Sequence, residues 1–130
     1  SSAASDVYKR QLLDTFIVNL MSTKNFLKTT ILIEYNPFAL ERWASAESNV
    51  GKAHGGGKAD PFALPEPLFE KKPALSDAVI RVLSSKKADE LLTVQGKEAL
   101  KEELIASLND ALKATETIIT NVLFSEFIIQ

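Results

Sequence analysis

The chain of 130 residues contains no cysteine and a single histidine, and these two shortages remove much of the chemistry open to small proteins. Without cysteine there can be no disulfide, thiolate nucleophile, iron–sulfur cluster or cysteine-ligated zinc site. One histidine excludes every site that needs two imidazoles from one chain. The absence of cysteine does not fix the compartment, since it suits a reducing and an oxidising one equally.

An excess of charge and a long apolar run are also missing. Fifteen basic and seventeen acidic side chains give a net charge of -2, which argues against a protein that binds nucleic acid through bulk charge. No apolar stretch approaches the roughly 20 residues that span a bilayer. The chain begins with Ser1 rather than Met, so we expect it to be either a mature fragment or a piece cut from a longer protein. Its length and composition are those of one folded domain.

Hydrophobic alternation predicts a hairpin near the start of the chain and a strand at its end. Residues 1–14 have no sustained period and are interpreted as a lead-in, followed by strands over 15–21 and 26–35. The stretch 115–130 is apolar on both faces, which indicates a strand that is central, bulged or covered on two sides. The predicted faces of this last strand are Ile119, Leu123, Phe127 and Ile129 on one side and Ile118, Val122, Phe124 and Ile128 on the other.

Two amphipathic helices are predicted between the hairpin and the last strand. Pro73 is suited to the first turn of a helix that ends near Ser84. Thr93 is a plausible N-cap for a helix over 94–114, and residues 88–92 form a helical turn or a short strand. The predicted fold class is α+β, an antiparallel or mixed sheet with two packed helices.

Residues 37–72 differ in composition, because they hold four of the five glycines and four of the five prolines. We predict a long loop insertion, in which 38–48 could form a short helix, 51–58 a flexible glycine tip and 60–67 an extended run. The tip is not a phosphate-binding loop, since that pattern would need glycine at Lys52 and a hydroxyl at Ala59.

No constellation for catalysis, a cofactor or a metal is predicted. His54 and Asp60 would make a weak metal site, because catalytic zinc normally takes three protein ligands. Acidic pairs such as Glu98 and Glu102 are typical of the solvated face of an amphipathic helix. We therefore expect no enzyme activity, no cofactor and no metal.

Four aromatic side chains in the 37–72 segment are the candidates for function. One interpretation is that they fold back on the body as a lid over an uncovered sheet face; the other is that they anchor a partner, since aromatics concentrate at interface hot spots. Packing is favoured for Phe62 and Phe69. Phe38 and Trp43 are predicted as possible partner contacts, with the two interpretations close to even.

The second half of the chain resembles the FliL family of flagellar basal body-associated proteins. The resemblance is carried by Leu83 to Lys86 (LSSK), Leu92 to Glu103 (LTVQGKEALKEE) and Val122 to Gln130 (VLFSEFIIQ), in that order. Phe16 to Leu20 (FIVNL) and Phe26 to Glu34 (FLKTTILIE) are similar to the strands of the family. The insertion at 37–72 departs from the family pattern, and it could carry a lineage-specific contact.

The resemblance implies a topology and a set of partners. Residues 15–130 would be a single periplasmic domain similar to the stomatin/prohibitin (SPFH) domain. Residues 1–14 would lead in from a removed anchor, an N-terminal helix in the inner membrane. The family resemblance also implies self-association into a ring around the stator units, with the stator proteins MotA and MotB as partners and no nucleic acid.

The function expected from the resemblance is a non-enzymatic motor accessory that supports the stator, its torque and swimming or swarming. The alternative, taken from the aromatic and proline content, is a periplasmic module that binds a ligand or peptide with the 37–72 loop as its lid.

Overall fold

The computed structural model describes residues 8–22, 24–47 and 63–130, and the fold in these ranges is α+β, as predicted. A three-stranded antiparallel sheet in the order β1-β2-β3 carries helices on one face. The elements are β1 (Lys9–Asn19), β2 (Phe26–Tyr35), α1 (Pro37–Glu47), α2 (Glu66–Glu70), α3 (Lys72–Ser84), a 3₁₀ helix (Ala88–Leu91), α4 (Val94–Ala111) and β3 (Ile119–Ile129).

Strand β1 starts at Lys9, six residues before the predicted strand, so the lead-in prediction for 1–14 is wrong for its last residues. The cause is a β-bulge: Leu12 pairs with Leu32 and Asp14 with Ile31, which leaves Leu13 as the extra residue. Leu13 is buried while Leu12 is 48% exposed. Because the bulge shifts the alternation by one residue, the apolar period is broken in the sequence although the strand is continuous.

Strand β2 confirms its prediction in both bounds and face. Its inward residues, Leu27, Thr29, Ile31, Ile33 and Tyr35, are all buried. The buried hydroxyl of Thr29 donates to the backbone carbonyl of Glu126 at 2.7 Å, so this polar residue in the core has a partner.

Strand β3 is bulged, one of the three predicted possibilities, and its predicted faces are partly wrong. The register against β2 shifts twice, with Ser125 and Thr120 as the extra residues. Val122 pairs with Ile33 and therefore faces the core, whereas Leu123 pairs with Leu32 and faces outward. Two bulges exchange the faces along the strand, and strict alternation over 115–130 could not have found this. Phe124 likewise pairs with a core residue.

The 37–72 segment is not a loop throughout. Helix α1 spans Pro37–Glu47, close to the helix considered for 38–48, and is capped by Asn36, whose Oδ1 accepts from Phe38 N (2.9 Å) and Ala39 N (3.2 Å). Helix α2 begins at Glu66, inside the run predicted as extended, because a proline in the first turn suits a helix start. The glycine tip 51–58, with His54, Asp60 and Phe62, lies outside the described residues.

The two long helices confirm their predictions. Helix α3 has Pro73 in its first turn and buries Leu75, Val79, Val82 and Leu83. Thr93 caps α4, since its Oγ1 accepts from Gly96 N at 2.9 Å. Residues 88–91 form the 3₁₀ turn. Among the helices in the described ranges, none is long and apolar enough to cross a membrane.

One apolar cluster joins the sheet to the helices. Helix α3 packs against β1 and α4 against β3, and the two helices pack on each other. Leu100, Leu104, Leu108 and Leu112 of the α4 stripe are all buried in this cluster. The helices therefore cover one face of the sheet, while no described element covers the other.

Candidate functional site

The uncovered face of the sheet, here called the outer face, consists of five rows of three side chains that run across the strands. A row contains the residues that the strand register places directly opposite each other on β1, β2 and β3. The rows are Arg10–Glu34–Asn121, Leu12–Leu32–Leu123, Thr15–Thr30–Glu126, Ile17–Lys28–Ile128 and Asn19–Phe26–Gln130.

The charged first row is held together by its own bonds. Arg10 donates to Glu34 Oε2 from Nε at 3.0 Å and from Nη2 at 2.7 Å. Asn121 Nδ2 donates to the other carboxylate oxygen of Glu34 at 3.3 Å. The carboxylate is thus engaged from both neighbouring strands.

Two hydrogen bonds join the side chains of the central row. Thr30 Oγ1 donates to Glu126 Oε1 at 3.2 Å, and the hydroxyls of Thr15 and Thr30 lie 2.8 Å apart. Because the single proton of the Thr30 hydroxyl goes to the carboxylate, Thr15 donates to Thr30. Lys28 of the next row lies 3.9 Å from Glu126, so the two ion pairs make the face neutral as a whole.

Apolar side chains make up most of the rest of the outer face. Four of them are strongly exposed: Leu12 48%, Ile17 66%, Phe26 48% and Ile128 40%. Antiparallel sheets with one solvated face usually carry polar residues there. A face that combines exposed aliphatic rows with internally paired polar rows has the mixed composition of a protein interface.

The two predicted contact residues lie on different sides of α1. Trp43 is half-buried, and its Nε1 donates to the carbonyl oxygen of Leu112 at 2.9 Å, which fastens α1 to the end of α4. Phe38 is 56% exposed and borders a shallow hollow of about 590 Å³ with Arg42 and Ala46. The structure therefore leaves Phe38 accessible and gives Trp43 a packing partner; their role in partner binding stays a prediction.

Phe69 was expected to pack back onto the body, and it does not. It lies on α2 with 58% of its surface exposed, beside a hollow of about 510 Å³ that includes Pro73 and Ser76. Helix α2 is short and precedes α3 directly, so this aromatic side chain lies next to α3 rather than over the open sheet face.

A third hollow lies between α4 and β3. It encloses about 260 Å³ and is lined by Val94, Lys97, Glu98, Lys101, Phe124 and Phe127. The ammonium of Lys97 lies 5.4 Å from the ring centre of Phe127, and that of Lys101 lies 5.7 Å from that of Phe124. Both cations pack on aromatic faces and so stabilise the helix–strand contact.

Within the described ranges, Asp77, Arg81 and Asp110 line one open hollow of about 330 Å³ between α3 and α4. In the described part of the chain, no three histidine, aspartate or glutamate residues are grouped as a metal would require. Hydrogen bonds between Arg42 and Glu116, at 2.8 Å each, lower the pKa of the Glu116 carboxyl and raise that of the guanidinium. Burial raises the pKa of the Tyr35 phenol. These shifts accompany structural contacts and do not point to an acid–base pair.

Sequence reasoning missed Asn109 and the reason for Gly96. Asn109 uses its whole amide: Oδ1 accepts from Ile118 N and Ile119 N at 3.0 Å each, and Nδ2 donates to the carbonyls of Ile105 (3.0 Å) and Ile119 (2.9 Å). A polar residue beside a leucine stripe was the available signal. Gly96 lies against the Glu90 carbonyl, a tertiary approach that leaves no signal beyond the glycine itself.

Two comparisons with known proteins agree with each other. A family model described as flagellar basal body-associated protein FliL matches residues 11–130. The flagellar protein FliL of Aquifex aeolicus (strain VF5) is 41% identical over 61 residues, which are 47% of this chain and 37% of that protein. The match thus spans little more than a third of the length of this relative.

Proposed function

This chain belongs to the FliL family of flagellar basal body-associated proteins, and from that membership we propose a non-enzymatic role in which it assembles around the stator units of the motor and supports them. A flagellar accessory role follows from the family. The stator as its target, and torque, swimming and swarming as its output, are the proposal.

The observation that carries the proposal is the family match over 11–130, nearly the whole chain. The structure supports a scaffold through the outer face, where apolar side chains are exposed on all three strands.

The proposed setting is the periplasm, with the protein held to the inner membrane by an N-terminal helix. The proposed partners are MotA and MotB, and copies of the chain are proposed to form a ring through an SPFH-like domain. A ring needs a heterologous contact, in which one surface meets a different surface of the next copy. A shared membrane raises the effective concentration, so each contact can be weak.

The lid alternative receives no support from α1. Helix α1 is held by the Trp43 bond to Leu112 and by the paired hydrogen bonds of Arg42 to Glu116. Two such contacts keep the helix docked on the body.

In-cell crosslinking from the full-length protein tests the proposed partner. A photoreactive residue at Phe38 is expected to capture MotB, because this side chain is 56% exposed on α1. Phe69, which is 58% exposed, is the matched control position and is expected to capture much less. Capture of MotB from neither position would remove Phe38 as a contact.

The role itself is tested by deletion of the gene. We expect lower torque and fewer engaged stator units in motors that work against high load. A deletion strain with unchanged torque and stator number would contradict the proposed role, whatever the crosslinks show.

A further inference from the structure

We propose that the outer face of the sheet is a contact between two copies of this chain, packed face to face about a two-fold axis parallel to β2. The contact is isologous, so it closes at two copies and differs from any ring contact. It rests on the sheet alone and does not depend on the role at the stator.

The first argument is that β1 and β3 carry the same kinds of residue at positions that this axis exchanges. The axis places β1 of one copy over β3 of the other and keeps each row over itself. The exchanged positions are Leu12 with Leu123, Ile17 with Ile128, Asn19 with Gln130, Thr15 with Glu126 and Arg10 with Asn121. At the exchanged positions of β1 and β3, aliphatic side chains therefore meet aliphatic side chains, and polar side chains meet polar side chains.

The second argument concerns the charges on β2, whose residues meet their own copies. Glu34 would face Glu34, but each is neutralised by Arg10 at 2.7 Å within its own sheet. Lys28 would face Lys28, and each has Glu126 at 3.9 Å. Burial costs less for paired charges than for unpaired ones, and a face without net charge does not repel its copy.

The third argument is that the polar groups of the central row already have partners. Thr15, Thr30 and Glu126 are joined by hydrogen bonds within one sheet. Burying a polar group is costly chiefly when the group is left without a hydrogen bond. The central row of the outer face thus has its polar groups bonded, while the apolar groups of the face, up to 66% exposed at Ile17, are open to water.

The area buried in the dimer indicates how tightly the two copies should bind. Strands of this length that lie about 4.8 Å apart make a face of roughly 35 by 14 Å, so the dimer buries on the order of 1,000 Å². That is the lower end of the range for specific interfaces, and such contacts are weak in solution. Tethering of both copies in one membrane would raise the dimer population without any new contact.

The test is sedimentation velocity of the chain from about 10 μM to about 1 mM, a range suited to a contact of this size. We expect a monomer–dimer equilibrium. Ile17→Lys should raise the dissociation constant about ten-fold or more, because it places a charge against the aliphatic side chain of Ile128 at two symmetry-related points. Ile17 is exposed at the surface, and circular dichroism verifies that the variant is folded.

Leu92→Lys is the matched control, because Leu92 and Ile17 are each 66% exposed and Leu92 lies at the end of the 3₁₀ turn, not on a strand of the sheet. It should change the dissociation constant by less than about two-fold. Ile128→Lys and its control Ile80→Lys form a second pair. Ile128 lies on the outer face and is 40% exposed, and Ile80 lies on α3 and is 44% exposed.

A thiol crosslinker identifies the axis, and the chain offers no cysteine of its own. Ile17→Cys mixed with Ile128→Cys should crosslink through a reagent of about 10 Å span, the spacing of stacked sheets. Each variant alone should crosslink poorly, because the axis places position 17 over position 128 and not over itself.

Three results would overturn the proposal: a monomer throughout the concentration range, equal weakening by Leu92→Lys and Ile17→Lys, or efficient crosslinking of Ile17→Cys to itself. Motility in the deletion strain is a separate measurement, so this proposal and the stator role fail independently.

Discussion

Gly96 lies in the first turn of α4, where a helix-forming residue would ordinarily be preferred. A Cβ built on Gly96 would lie 1.7 Å from the backbone carbonyl oxygen of Glu90. The 3₁₀ turn therefore packs directly on the backbone of α4, and only a residue without a side chain permits that approach.

We predict that Gly96→Ala destabilises the protein by at least about 2 kcal/mol, although helix propensity alone favours alanine by about 1 kcal/mol. The obstacle is backbone, which cannot rotate away as the end of a side chain can. The free energy of unfolding in urea measures the effect. Gln95→Ala, also in the first turn, is the control and should change stability little. A Gly96→Ala variant more stable than the wild type would show that the 3₁₀ turn can move.

Tyr35 gives a prediction for alkaline pH. Burial raises its folded pKa above the ordinary value of 10.0, because the phenolate is poorly solvated in the core. The stability linked to this group is therefore fully present below the unfolded pKa and is lost as the pH rises through the folded pKa. Above pH 10.0, the free energy of unfolding of Tyr35→Phe should fall less steeply with rising pH than that of the wild type.

Absorbance titration separates this phenol from the other tyrosine, because Tyr8→Phe leaves Tyr35 as the only one of the two. In that variant, the phenolate signal should emerge above the ordinary tyrosine range. Ionisation of Tyr35 in the ordinary range, with the protein still folded, would contradict the burial argument.

The position of helix α1 depends on a few side-chain contacts. We predict that Trp43→Phe lowers the free energy of unfolding by about 1 kcal/mol or more, because the ring is reduced and the Nε1 bond to Leu112 is lost. Circular dichroism in urea is the readout, since Trp43 is the single tryptophan. Phe38→Leu, at an exposed site on the same helix, should be nearly neutral. Equal effects of the two substitutions would mean that the Trp43 bond does not anchor the helix.

The elements also show which parts of the fold were predictable. The bounds and buried face of β2 follow from its sequence, because the strand is regular and one face is fully buried. The start of β1 and the faces of β3 do not follow, since Leu13, Ser125 and Thr120 are bulge residues. A bulge is a property of the pairing between two strands, so neither strand shows it alone.

The candidate surface was not predictable, since Leu12 lies in the predicted lead-in and the prediction places Leu123 on the face of Ile119, which pairs with the core residue Tyr35. Leu12, Leu32 and Leu123 are separated by long stretches of sequence, and their common row exists only once both registers are known. Aromatic content drew attention to Trp43, whose bond to Leu112 was invisible without the tertiary structure. The sequence shows which residues are apolar, and the strand registers determine which of them share a surface.

At the scale of the whole molecule, several contacts meet at the connection between α4 and β3. Asn109 binds the backbone of Ile118 and Ile119, Asn36 N donates to the Ile118 carbonyl at 3.0 Å, and α1 is attached there through Glu116. The hairpin, α1 and α4 therefore share one junction as well as one core. We expect these parts to unfold together.

Native-state hydrogen exchange tests this junction. In the wild type, the amides of Ile118 and Ile119 should exchange only by global unfolding, because Asn109 Oδ1 accepts from both. Asn109→Ala leaves two partly buried donors without a partner, so the global free energy should fall by about 2–4 kcal/mol. The free energy of opening measured at the β2 amides should fall by the same amount, since no part can unfold alone. If β2 instead kept its protection while α1 or the junction opened, the single cooperative unit would be wrong and the chain would contain a separable α1 layer.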